Sequence, residues 1–202
     1  MHIMKSNTGW IEVICGSMFS GKSEELIRRL RRAQIARQRV LAFKPRIDKR
    51  YDAGSTISSH SQQHVECIPI DEPEDIHEHL QSDTEVVGID EVQFLGARVV
   101  PIVEELASRG VRVICAGLDQ DYRGLPWYPM PELLARAEYI EKTLAICMVC
   151  GNPANRTQRK VMSEDLVLIG STDLYEARCR ACHTVPEEEG EQTTFMPESN
   201  MA

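Results

Sequence analysis

No apolar run in this sequence approaches the roughly 20 residues that a membrane span requires. The opening residues, MHIMKSNTGW, lack the apolar stretch of a signal peptide, so export is not expected. Positive charge is in short supply. Lys and Arg number 23 against 31 Asp and Glu, a formal net charge of −8, which disfavours broad nucleic-acid binding and leaves room only for a local basic patch. The run RRLRR at 28–32 reads as a solvated helix face or subunit contact rather than such a patch. No internal repeat is present. Seven cysteines without an export signal point to the reducing cytosol rather than a disulfide framework, and the expected location is cytoplasmic. What is there fits a soluble globular chain: 42% hydrophobic and 27% charged residues over 202 positions, enough for one ordinary domain plus a small appendage. Such a chain buries a core without covalent staples.

The pattern along the chain alternates. Residues 11–15 read as a buried strand. Residues 22–39 carry Leu26, Ile27, Leu30, Ala33 and Ile35 near helical spacing, with acids early and Arg late, as the helix dipole favours. Residues 40–45 form a second strand stopped by Pro45, and the polar stretch 46–63 is expected to be a long mobile loop. A third strand spans 64–70 and a short helix 73–81, with His77 and His79 on the surface. Residues 85–94 hold a strand that ends in two acids. A helix over 99–110 stops at Gly110, a strand follows over 111–119, and 131–143 begins as a helix. This order implies an α/β fold with a mainly parallel sheet and helices on both faces. From Leu144 the pattern changes to a cysteine-rich module. The division expected is a flexible 1–9, a nucleotide-binding α/β domain over 10–143, a zinc module over 144–185, and a disordered acidic tail over 186–202.

Gly16-Ser17-Met18-Phe19-Ser20-Gly21-Lys22-Ser23 satisfies G-x-x-x-x-G-K-[ST] between a strand and a helix. In such a loop the glycines let backbone N–H groups converge on phosphate oxygens. Lys22 reaches the β- and γ-phosphates, and the Ser23 hydroxyl serves Mg²⁺. The helix N-terminus adds its dipole. The acids Asp90 and Glu91 end an apolar strand expected beside this loop. There Asp90 would order Mg²⁺, and Glu91 would accept a proton from the attacking oxygen. Whether that oxygen belongs to water or to a substrate hydroxyl stays open at this point.

Cys147 and Cys150 form one C-x-x-C knuckle and Cys179 and Cys182 another, separated by residues 151–178. Two such pairs are a tetrahedral zinc signal, and four thiolates leave no open position, so the metal is expected to be structural. His183 is an alternative ligand to Cys182. The 28 residues between the knuckles are pinned at both ends and so are poised to fold over a ligand. Cys15, Cys67 and Cys115 lie in strand patterns and read as core. From the residues alone three classes compete: a small-molecule kinase, a RecA-like ATPase motor, and a zinc module with a regulatory nucleotide site. The acidic balance disfavours the last. The motor lacks sequence for a track-binding domain. The kinase accounts for both loops as lids that exclude water.

Together GSMFSGKS, KPRIDKRY, GIDEVQF, GLDQDYRGLPW, CMVC and LIGSTDLYEARCRAC, in this order from about Trp10 to His183, resemble segments of the tetrameric, zinc-containing thymidine kinases. The resemblance implies a RecA-like P-loop domain with a zinc-held lasso, a homotetramer, and transfer of the γ-phosphate of ATP to the 5′-hydroxyl of thymidine, with deoxyuridine as a second acceptor, in nucleotide salvage. It implies Glu91 as the base and Asp90 as the Mg²⁺-ordering acid. It also implies Asp48 and Arg50 closing over the reacting groups, and end-product inhibition by thymidine triphosphate. The nucleoside pocket would draw on Met18, Phe94, Leu118, Tyr122, Trp127, Leu168, Gly170 and Tyr175. Tyr122 and Trp127 stand where many relatives carry Phe, and Val92 where some carry Gly.

Overall fold

Successive side chains of the first strand point to opposite faces of a sheet. Ile11, Val13 and Cys15 enter one core cluster and Ile14 enters the other. Both faces are covered, which is why such strands read as continuous apolar runs. The computed structural model describes residues 8–46, 56–58, 64–163, 165–168, 170 and 172–185. In chain order these form β1 (Trp10–Cys15), α1 (Lys22–Ile35), β2 (Val40–Pro45), β3 (Thr56–Ser58), β4 (His64–Glu66), β5 (Ile68–Ile70), α2 (Asp75–His79), β6 (Val86–Ile89), a 3₁₀ turn (Val92–Leu95), α3 (Val99–Ser108), β7 (Arg112–Gly117), α4 (Met130–Arg136), β8 (Tyr139–Lys142), β9 (Ala145–Ile146), β10 (Pro153–Ala154), β11 (Arg156–Arg159) and β12 (Tyr175–Arg178).

The main sheet has the order β5-β2-β6-β7-β1-β8, and every neighbouring pair is parallel. α1 lays Leu26, Ile27, Leu30 and Ala33 on one face, where Ile57 of β3 and Val65 of β4 join them. The other face takes Ile76 of α2, the apolar side of α3, and Met130 and Leu133 of α4. The protein is thus an α/β fold with a parallel sheet between helical layers. Among the described residues no helix is long and apolar enough to cross a membrane.

Several elements differ from the sequence expectation. α1 ends at Ile35, which is 82% exposed and not part of the buried stripe. The expected strand over 64–70 is two strands in two sheets. β4 pairs antiparallel with β3, which lies within the stretch read as loop, and β5 joins the edge of the main sheet beside β2. Pro69 has no N–H to donate, which an edge strand tolerates. The helix begun near 131 stops at Arg136, because Ala137 turns extended and 139–142 add β8 to the free edge of β1. The acid-bearing strand β6 does not lie beside β1. β7 lies between them, so the residues after β7 emerge between the phosphate loop and the two acids.

Candidate functional site

The phosphate loop leaves β1 and turns into α1. Gly16 has φ +148°, and a Cβ there would stand 2.3 Å from the carbonyl oxygen of Thr143. Gly21, with φ +85°, caps α1 in the left-handed region that favours glycine. Phe19 shares that region and packs against the cluster of Ala145, Cys147, Ala154, Ala177 and Cys179. The Ser20 hydroxyl donates to the Ser17 carbonyl at 2.8 Å and meets the Thr143 hydroxyl at 2.8 Å. The Ser17 hydroxyl in turn reaches the Ala154 carbonyl at 3.4 Å. The buried Lys22 ammonium donates to the Ser17 carbonyl at 2.7 Å. Burial lowers the pKa of Lys22, against the pull of Glu91, Asp90 and Asp119.

Ser23, in the first turn of α1, faces Asp90. Its hydroxyl is shared between the two carboxylate oxygens of Asp90, at 3.2 and 3.1 Å. Burial, and then the charge of Glu91, push Asp90 up to about 7, while Lys44, the Ser23 hydroxyl and Lys22 oppose them. A buried carboxylate next to a hydroxyl at a helix start is a donor set suited to a hard cation such as Mg²⁺. Glu91 holds left-handed backbone angles, φ 51° and ψ 39°. That conformation is costly for a residue with a side chain and concentrates at functional sites. Its Oε2 accepts a hydrogen bond from Gln93 Nε2 at 2.6 Å, and Gln93 Oε1 accepts from the Leu118 N–H at 3.1 Å. Just beyond, the Asp119 carboxylate meets Lys142 at 2.6 Å.

Glu91 lines a cavity of about 170 Å³. Met18 enters from the phosphate loop, Phe94 from the 3₁₀ turn, and Leu118, Tyr122 and Trp127 from the segment after β7. Leu168, Gly170 and Tyr175 line it as well. Phe94 and Trp127 meet edge to face, with ring centroids 5.3 Å apart. Thr157 also lines the cavity, and its hydroxyl oxygen accepts the Met18 N–H at 3.0 Å. The Tyr175 hydroxyl bonds both backbone groups of Leu168, at 3.2 and 3.1 Å. Apolar walls with a few fixed polar groups suit a small organic ligand.

The four sulfurs of Cys147, Cys150, Cys179 and Cys182 lie within 4.8 Å of one another. Cys150 stands 3.6 Å from both Cys179 and Cys182. Tetrahedral zinc with Zn–S bonds near 2.3 Å places sulfurs about 3.8 Å apart, so the set fits. Burial opposes charge on Cys147, yet backbone N–H groups of Cys179, Val149 and Cys150 hold its thiol at about 6. Bonds from Cys179 and Cys150 keep the proton on Cys182, up to about 12. His183 is engaged elsewhere: its Nε2 lies 2.9 Å from the Tyr122 carbonyl, and its N–H donates to the Cys179 carbonyl.

Residues 9–183 match the family model described as Thymidine kinase. The chain belongs to the thymidine kinase family. Membership implies an ATP-dependent nucleoside kinase. Among solved structures, the chain is similar to the flagellar accessory protein FlaH from Methanocaldococcus jannaschii, with a TM-score of 0.48 and 13% identity over 78% of this chain and 75% of that one.

In this thymidine kinase family member, one end of the sheet brings together the phosphate loop, both acids and all eight residues expected around the nucleoside. Asp48 and Arg50 lie outside the described residues. Sequence reasoning missed Gln93 and Arg159. Gln93 stands two positions after Glu91 in a polar-apolar turn, a weak signal. Arg159 sits in the strand RTQR, polar at every position, where no alternation singles it out. Yet Arg159 is 2% exposed.

Proposed function

We propose that this protein transfers the γ-phosphate of ATP to the 5′-hydroxyl of thymidine, with deoxyuridine as a second acceptor, for nucleotide salvage. The observation that carries the reading is the Glu91 carboxylate. It lines an apolar cavity that Met18 of the phosphate loop also lines. A hydroxyl held in that cavity would meet a base and a phosphoryl donor on the same side.

In this reading residues 16–23 cradle the ATP phosphates, and Lys22 exchanges the Ser17 carbonyl for phosphate oxygens. Ser23 and Asp90 would hold Mg²⁺, which when bound neutralises phosphate charge. Glu91 accepts the proton of the 5′-hydroxyl, and Gln93 aims the accepting oxygen. Asp48 and Arg50 are proposed to close on the transferring group. An Arg suits that place because its planar fork meets phosphate oxygens in pairs. Met18, Phe94, Leu118, Tyr122, Trp127, Leu168, Gly170 and Tyr175 enclose the nucleoside and exclude water, which keeps a kinase from acting as an ATPase. The zinc cluster is a structural clip for 144–185, appended to a catalytic unit over 10–143. We further propose a cytoplasmic homotetramer inhibited by thymidine triphosphate.

The test offers ATP and Mg²⁺ with thymidine, deoxyuridine, deoxycytidine or water alone, and identifies the phosphorylated product. Thymidine and deoxyuridine monophosphates are expected. Phosphate release without a nucleotide product would overturn the kinase in favour of an ATPase.

A further inference from the structure

We propose that Arg159 is a positioning residue for the nucleoside lid. Its buried guanidinium gathers the carbonyls of the segment that closes the cavity, so that affinity for the nucleoside, and not for the donor, depends on it. The proposal rests on reading the cavity as the nucleoside pocket.

Arg159 ends β11 behind the cavity wall. Nη1 donates to the carbonyls of Ser163 at 3.2 Å and Asp165 at 2.6 Å. Nη2 donates to the Leu166 carbonyl at 2.8 Å and the Tyr175 hydroxyl at 3.3 Å. The guanidinium carbon lies 3.7 Å from the centre of the Tyr122 ring and 5.7 Å from that of Tyr175. Among the described residues no carboxylate pairs with this cation, and its Nε has no hydrogen-bond partner.

A cation taken out of water needs its hydration replaced. Here the replacement is the carbonyls of Ser163, Asp165 and Leu166 and the face of an aromatic ring. The dependence runs both ways. The segment can lie in its closed path because Arg159 donates to its carbonyls, and Arg159 can be buried because the segment covers it. Leu166, at the end of that path, lines the cavity, and so do both tyrosines. Tyr175 passes the constraint on through its bonds to Leu168. Two residues earlier on the same side of β11, Thr157 holds the Met18 N–H of the phosphate loop. One strand therefore sets the lid at Arg159 and the donor loop at Thr157. A lysine cannot stand in, because an ammonium is a point charge without the flat fork that spans several carbonyls and stacks on a ring.

The test compares the wild type, Arg159→Lys and Arg159→Met. It measures KM for thymidine and for ATP separately, thymidine binding by calorimetry, zinc content and melting temperature. In both variants thymidine KM and Kd are expected to rise by about tenfold or more, the scale of losing hydrogen bonds to a charged group. The ATP KM and one zinc per chain are expected to stay at wild-type values. If Arg159→Met yields no soluble protein, Arg159→Lys decides alone. Wild-type thymidine affinity in Arg159→Lys overturns the proposal, as does an equal loss of ATP and thymidine affinity. A wild-type protein that binds no nucleoside overturns the pocket reading itself, whereas an active wild type with an unaffected lysine variant overturns only the role of Arg159.

Discussion

Glu91 is held from two directions. Its backbone sits in a left-handed conformation, and its carboxylate is tied by Gln93 to the Leu118 N–H. The general base proposed here needs such fixing, since proton removal depends on reach before it depends on pKa. Glu91→Gln is expected to bind nucleotide normally and to lose most phosphoryl transfer. Binding titrations and turnover on the same preparation check this, and near-normal turnover would remove Glu91 as the base. Gln93→Leu leaves the Leu118 N–H unpaired and frees the carboxylate. It is expected to lower kcat by about tenfold while leaving ATP affinity in place, a split that steady-state kinetics reads directly. Glu91 is legible in the sequence because it follows Asp90 at the end of an apolar strand. Gln93 is not, because a glutamine acquires meaning only from the groups around it.

At the scale of elements, β1, α1, β7 and β8 are joined by charge as well as by apolar packing. Glu12, buried on β1, accepts from Arg29 of α1 at 2.6 Å, from Arg112 of β7 at 2.6 Å and from Trp10 at 2.8 Å. Arg29 also bonds Glu25 at 2.7 Å and pairs with Glu141 of β8. The bond from Arg28, with help from Arg29, holds Glu25 at about 2, well under its ordinary 4.5. Burial works against Glu12, but Arg112, Trp10 and Arg29 still bring it below the ordinary value. Both carboxylates bind protons more weakly in the folded chain than in the unfolded one. The stabilisation each gives is therefore present above its ordinary value of 4.5 and is lost as pH falls below it, for Glu25 toward about 2. Acid unfolding should show a loss across that window. Arg29→Met should flatten the loss and cost about 2 kcal/mol at pH 7, the scale of hydrogen bonds to a charged group, measured by denaturant titration. The network also marks what patterning conceals. The interior strands are legible as apolar runs. β8 is not, because all four of its residues are exposed and it is recognisable only by its place at the edge of β1. The split of 64–70 is hidden for a related reason. β4 and β5 are both apolar enough for a strand, and which sheet each joins is decided by partners far away in sequence.

At the scale of the whole molecule, the described residues form a parallel sheet and an appendage that carries the four clustered cysteines. Phe19 of the phosphate loop packs into the small cluster around the cysteines, and His183 reaches the carbonyl of the pocket residue Tyr122. Removing the clip should therefore be felt at the cavity. Metal analysis is expected to find about one zinc per chain. Chelation should abolish nucleoside phosphorylation and raise amide exchange across 145–178. Metal-free protein with full activity would refute the clip. The order of the sheet is the part of the architecture least accessible to sequence. Alternating strands and helices say that the sheet is parallel, but they do not say that β7 separates the phosphate-loop strand from the strand of the acids.

The hydrogen bond from Met18 to Thr157 has one more consequence. It joins the phosphate loop to the strand proposed to carry the acceptor's lid, so in that reading the two ligands share a structural element. Free-energy linkage is then reciprocal: whatever factor ATP imposes on the dissociation constant of thymidine, thymidine must impose on that of ATP.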